Sequence, residues 1–208
     1  MRKQKKELKP IDLTKIKTYP IKKRKNLVNI GQFGKPIELK SFNKFIDSLP
    51  KVLAADGLRN VISNIVKAHN KNRQVVLAIG AHVIKCGLSP IVIDLMKRGI
   101  VTAVAMNGSG AIHDYEMSLI GETSEDVSHS LKDGTFGMAK ETAEAIQAAA
   151  SVPESGLGRA LGNKILKDKN KYKQHSILAE GARLNIPVTV HVAIGTDIIH
   201  MHPCVSGS

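Results

Sequence analysis

Residues 75–114 read VVLAIGAHVIKCGLSPIVIDLMKRGIVTAVAMNGSGAIHD, and the reading of this stretch decides the fold. Val75–Ile79 is a short, unbroken apolar run ended by Gly80, the pattern of a strand buried on both faces. Ser89-Pro90 places an N-cap before a proline at the first helical position. Ile91–Lys97 is amphipathic, and Arg98-Gly99 gives a basic last turn and a stop. Val101–Met106 is a second apolar run that leads into the loop Asn107-Gly-Ser-Gly-Ala-Ile-His-Asp114. Strand, helix and strand at this spacing predict a βαβ unit with parallel strands and a right-handed crossover.

Outward from this unit the helical period continues. Phe42, Phe45, Ile46 and Leu49 precede Pro50, and Leu53, Leu58, Val61, Ile62, Ile65 and Val66 carry a second helix to about Ala68. Downstream, Thr123-Ser-Glu-Asp126 reads as a capped helix start. Gly137–Ala150, Leu161–Leu166 and Ile177–Leu184 read as helices, and Ile186–Ile194 as a third buried strand. The expected fold class is α/β: a Rossmann-like, mainly parallel sheet with helices on both faces, in residues 41–208. A third strand ending near Ile194 asks for a further crossover and strand, so the reading expects an incomplete domain, the N-terminal part of a longer one.

The 208 residues carry a net charge of +13. Residues 1–40 hold 13 Lys/Arg against Glu7, Asp12 and Glu38, or +10, while residues 41–208 contribute only +3. The basicity therefore belongs to an N-terminal arm, with clusters at Lys3–Lys6 and Lys22–Lys25. Two readings stand for it: a solvated tail, or a contact through residues 1–25 with nucleic acid or another acidic partner. No Trp and three Tyr leave few stacking platforms for single strands. No apolar run approaches the roughly 18 residues of a membrane helix. With only Cys86 and Cys204, a disulfide scaffold is excluded and a reducing cytoplasm expected.

Parallel sheets bind ligands beyond the carboxyl ends of their strands. Gly80–Gly87, Asn107–Asp114 and Gly195–His202 are the loops expected there. The glycines of Asn107-Gly-Ser-Gly110 permit close backbone approach to a phosphate or nucleotide. His113 beside Asp114 is a candidate general base with an orienting carboxylate, and Asp197, His200 and His202 are a partial metal set. His69, His129 and His175 read as surface residues, Cys86 as a buried inert thiol, and Cys204 is assigned no partner.

These strand-end segments resemble the deoxyhypusine synthase family, and a bacterial deoxyhypusine-synthase-like branch in particular. The strings GAHVIK (80–85), GLSP (87–90), IDLM (93–96), MNG (106–108), GAIHD (110–114) and IGTDIIHMHP (194–203) carry the likeness, which covers roughly residues 17–204. The resemblance implies a Rossmann-like sheet that binds NAD, a homotetramer with shared sites, and transfer of an aminobutyl group from spermidine to a protein lysine. Carried over by position, the NAD contacts fall on Gly80, Ala81, His82, Asn107, Gly108, Ser109, Gly110, Thr196 and Asp197, with His113 and Asp114 as proton-handling groups. The family's first-loop Ser-Asn pair is Ala81-His82 here, and its two acids before the matching aspartate are Ile112 and His113. Its polyamine-binding acidic segment and reactive Trp-Gly-Lys lysine correspond to positions beyond Ser208.

The resulting expectation is an NAD-dependent amine oxidation or aminoalkyl transfer on a small amine or polyamine, short of full deoxyhypusine synthesis. A non-catalytic, oligomerising module with a basic arm is the alternative. A metal-dependent hydrolase built on Asp197, His200 and His202 is a third.

Overall fold

The computed structural model describes residues 42–205 apart from 133, 135 and 153. The basic arm and its boundary at residue 40 lie outside the described residues. The described residues fall into two units that divide between Val61 and Ile62. In the first, helix α1 (Phe42–Ser48) is followed by the start of α2 (Leu53–Asn70). The Arg59 guanidinium ties them by donating to the carbonyls of Ile46 (2.8 Å) and Pro50 (2.9 Å).

In the second unit, three parallel strands lie in the order β1 (Val76–Ile79), β2 (Ala103–Asn107), β3 (Val188–His191). The register pairs Leu77 with Val104 and Val104 with Val188. Between β1 and β2 come α3 (Ala81–Lys85) and α4 (Ser89–Lys97); between β2 and β3 come α5 (Gly108–Ile120), α6 (Val127–Ser130), α7 (Lys140–Ala150), α8 (Gly156–Lys167) and α9 (Ile177–Leu184). This is the predicted mixed α/β architecture with a parallel sheet. Among the described residues, no helix is long and apolar enough to cross a membrane.

Among the described residues one face of the sheet is covered, which differs from the expectation of strands buried on both faces and helices on both sides. Leu77, Ile79, Val104, Met106, Val188 and Val190 join the core built by α4, α5, α7, α8 and α9, whereas Val76, Ala78, Thr189 and His191 on the opposite face are exposed. The order β1-β2-β3 accounts for this. Right-handed crossovers that advance in one direction put their helices on the same side. Close packing on the covered side has no room for larger residues: a Cβ at Gly158 of α8 would overlap the Val188 carbonyl oxygen.

Helix α5 corrects the reading of 107–114 as a loop. Gly-Ser-Gly is a poor helix former, yet the Asn107 side chain accepts a hydrogen bond from the Gly110 N–H (2.9 Å) and caps the helix, and Gly121 closes it in the left-handed conformation. Its inner face buries Ala111, Ile112, Asp114, Tyr115 and Ser118. The fully buried Asp114 carboxylate accepts from the Ser176 hydroxyl (2.5 Å) and from the N–H groups of Ile177 (2.8 Å) and Leu178 (3.2 Å), and so holds the start of α9. Ser118 accepts from the Asn170 amide, and its carbonyl accepts from the Tyr172 N–H. One helix therefore organises the segment that leads back to β3.

Burial pushes the Asp114 carboxyl up to about 6, against the hydrogen bonds from Ser176, Ile177 and Leu178 that pull it down. A folded value above the unfolded one means that this group's contribution is complete below about pH 4 and lost as pH rises through 6. Urea unfolding across that range is expected to show a fall of about 3 kcal/mol. Asp114→Asn flattens the slope.

Candidate functional site

A cavity of about 440 Å³ lies beyond the ends of β2 and β3. Asn107 and Ser109 reach it from the start of α5, and Ile112, His113 and Glu116 from further along that helix. Lys85 enters from the end of α3, and Thr196, Asp197, Ile198 and Ile199 from the segment after β3. Ser124, Glu125, Val127, Phe136, Gly137, Ala139 and Thr142 complete the wall, with the Glu125 carboxylate accepting from the Gly137 N–H (2.9 Å).

Two expected segments meet directly. A Cβ at Gly108 would overlap the Asp197 carboxylate, which also accepts from the Ala193 N–H (3.0 Å). Glycine at 108 thus lets an acidic side chain lie against the start of α5, where the helix dipole favours negative charge. Of the residues carried over as cofactor contacts, Asn107, Ser109, Thr196 and Asp197 line the cavity. Gly108 backs Asp197, and Gly110 gives its N–H to the Asn107 cap.

The other expected positions are displaced. The sequence pattern predicts a loop over residues 80–87, but Ala81–Lys85 is a short helix, and only Lys85 reaches the cavity. Gly80 begins that helix, Ala81 is buried beneath it, and His82 is exposed. Asp114 is 0% exposed and committed to α9, so it presents no free carboxylate to a ligand. Helical geometry gives the reason. Adjacent residues are turned about 100° apart, whereas positions three apart share a face.

His113 and Glu116 are such a pair, with side chains 15% and 21% exposed. The Thr123 hydroxyl stands between them, 2.6 Å from His113 Nδ1 and 2.5 Å from Glu116 Oε2. Thr142 of α7 donates to the second Glu116 oxygen at 3.2 Å. Burial lowers the His113 pKa below its usual value; Glu116 opposes that shift, and Lys85 and His82 add to it. The ring is therefore held towards its neutral, proton-accepting form. Glu116, Glu125 and Asp197 line the cavity together with Lys85.

The hydrolase alternative does not assemble. Among the described residues no three His, Cys, Asp or Glu side chains could hold a metal ion. His202 Nδ1 is instead engaged by Cys204, with Sγ at 3.0 Å and the backbone N–H at 3.2 Å, which supplies the partner not assigned from sequence. Cys86 is exposed, contrary to its reading as a buried thiol. His69 and His175 are exposed as expected.

No protein-family model matches the chain, and none of the curated proteins matches it. Among solved structures, one similar chain is the apo crystal structure of ArgZ, an arginine dihydrolase from the ornithine–ammonia cycle in cyanobacteria. It shares 20% identity at a TM-score of 0.46, over 66% of this chain and 18% of that one. The chain thus spans under a fifth of that neighbour's length.

Gly108→Ala is expected to expel the Asp197 carboxylate and lower stability by about 1–3 kcal/mol in urea unfolding. Combining it with Asp197→Ala should recover part of that loss, because the two positions share one contact. Strict additivity would contradict the contact.

Proposed function

We propose that this chain is a deoxyhypusine-synthase-like α/β protein whose strand-end cavity takes a nicotinamide dinucleotide together with a small amine, for NAD-dependent amine oxidation or aminoalkyl transfer. One observation carries the reading: Asn107 and Ser109, His113, and Thr196 and Asp197 come from separate parts of the chain to one cavity. Its volume falls within the usual range of small-ligand sites.

The residues suit the cofactor's ribose and nicotinamide more directly than its phosphates. Ser109, Thr196 and Asp197 offer donors and an acceptor to ribose hydroxyls and a carboxamide, and the carboxylates suit a cationic ring. The start of α5 is already occupied by Asp197, so Lys85 is the cavity's cation for a phosphate. When bound, the nicotinamide supplies a hydride acceptor for the carbon beside the amine nitrogen.

This chain's own residues do the rest. Glu116 and Glu125 attract a protonated amine. His113, its pKa lowered by burial, takes the ammonium proton and frees the nitrogen lone pair. Ile112, Val127, Phe136 and Ile198 line the apolar wall that packs against methylene groups and displaces water. Asp114 acts through the fold, as the anchor of α9. Isothermal titration with NAD is expected to give saturable binding, weakened about tenfold or more in Asp197→Asn. No detectable binding to the folded, assembled protein would remove the cofactor from the reading.

A second reading, a non-catalytic module that oligomerises, draws on α2. Leu58, Val61, Ile62 and Val66 lie at helical spacing and are 43–56% exposed, a pattern that marks interaction surfaces. Sedimentation velocity should then show a multimer that Val61→Glu with Val66→Glu dissociates. A monomeric parent chain would dismiss that module.

A further inference from the structure

The hydrogen-bond directions around Thr123 fix more than position. A hydroxyl has one hydrogen to donate, and an ionised carboxylate only accepts. Thr123 therefore gives its hydrogen to Glu116 Oε2 at 2.5 Å, and its oxygen accepts from His113 Nδ1 at 2.6 Å. The hydrogen on a neutral His113 must then sit on Nδ1. Nε2 keeps its lone pair and has no hydrogen-bond partner among the described residues, on a ring that lines the cavity.

We propose that Glu116, Thr123 and His113 form a hydroxyl-bridged relay in which Thr123 selects the Nδ1–H tautomer of His113 and presents Nε2 to the cavity as a proton acceptor. This rests on the reading of the cavity as a ligand site. The arrangement follows the general plan of a base oriented by a third group, with a threonine inserted between imidazole and carboxylate. Thr142 fixes the far oxygen of Glu116, so the carboxylate is held both from the segment after α5 and from α7.

In the step itself, the bond between a ligand donor atom and its hydrogen breaks, and the ligand keeps the electron pair. The proton forms the Nε2–H bond, while Nδ1–H stays on Thr123. The imidazolium so formed has Glu116 Oε2 3.8 Å from Nδ1 as countercharge. Lys85 and His82, from α3, oppose that positive charge, and Glu116 favours it. Thr123 and Glu116 are positioning residues; neither is asked to touch the ligand.

The test is read on the ligand-free protein by long-range ¹H–¹⁵N NMR of the histidine rings between pH 5 and 8, with His113 assigned by its loss in His113→Asn. The expected parent spectrum shows a protonated Nδ1 and a bare Nε2 at the neutral end. Thr123→Val should shift the ring towards the Nε2–H form, and Thr123→Ser should restore it. Glu116→Gln should lower the His113 pKa, because the carboxylate that favours the imidazolium is gone. An Nε2–H tautomer in the parent chain, or one unmoved by Thr123→Val, overturns the relay. If Thr123→Val does not fold, the parent tautomer and the Glu116→Gln shift still decide. Because no ligand is present, failure here is separate from failure of NAD to bind.

Discussion

A single buried carboxylate holds this fold together across a gap of more than 60 residues. Asp114 sits on α5, and its partners are the serine and two amide groups that open α9. Those amides lack helical partners, and an anion at a helix start satisfies both their hydrogen bonds and the dipole. Burial opposes the charge and the three donors favour it. The return to β3, and with it the segment carrying Thr196 and Asp197, follows from where α9 begins.

Much of the architecture was legible in the sequence because the apolar runs are short and well punctuated. VVLAI, VTAVAM and IPVTVHVAI each contain a strand, and Ile177–Leu184 is a helix between the expected bounds. The exposure of Val76, Ala78, Thr189 and His191 among the described residues was not legible. An apolar run says that a strand is acceptable in a core, while coverage depends on strand order. Val76 and Ala78 look as apolar as Leu77 and Ile79, yet only the latter pair joins the core.

The candidate site was partly legible, and its errors share a cause. Asn107, Ser109, His113, Thr196 and Asp197 were expected and are found around one cavity. Adjacency in the sequence pairs Asp114 with His113, which would suit a loop. In the helix capped by Asn107, the partner on His113's face is Glu116, and that spacing was readable once 108–120 was known to be helical. Thr142 could not have been found this way, since it arrives from α7 through tertiary packing. Lys85 was hidden by the same misreading of a helix as a loop.

Helix α5 divides two kinds of duty between its sides. The inward residues Asp114 and Ser118 are bound into contacts that span the chain, so heritable change there is paid for in folding. The outward residues Ser109, His113 and Glu116 have fewer structural obligations. A substitution on the inner side of this helix is thus a change to the scaffold, and one on the outer side a change to the wall of the cavity.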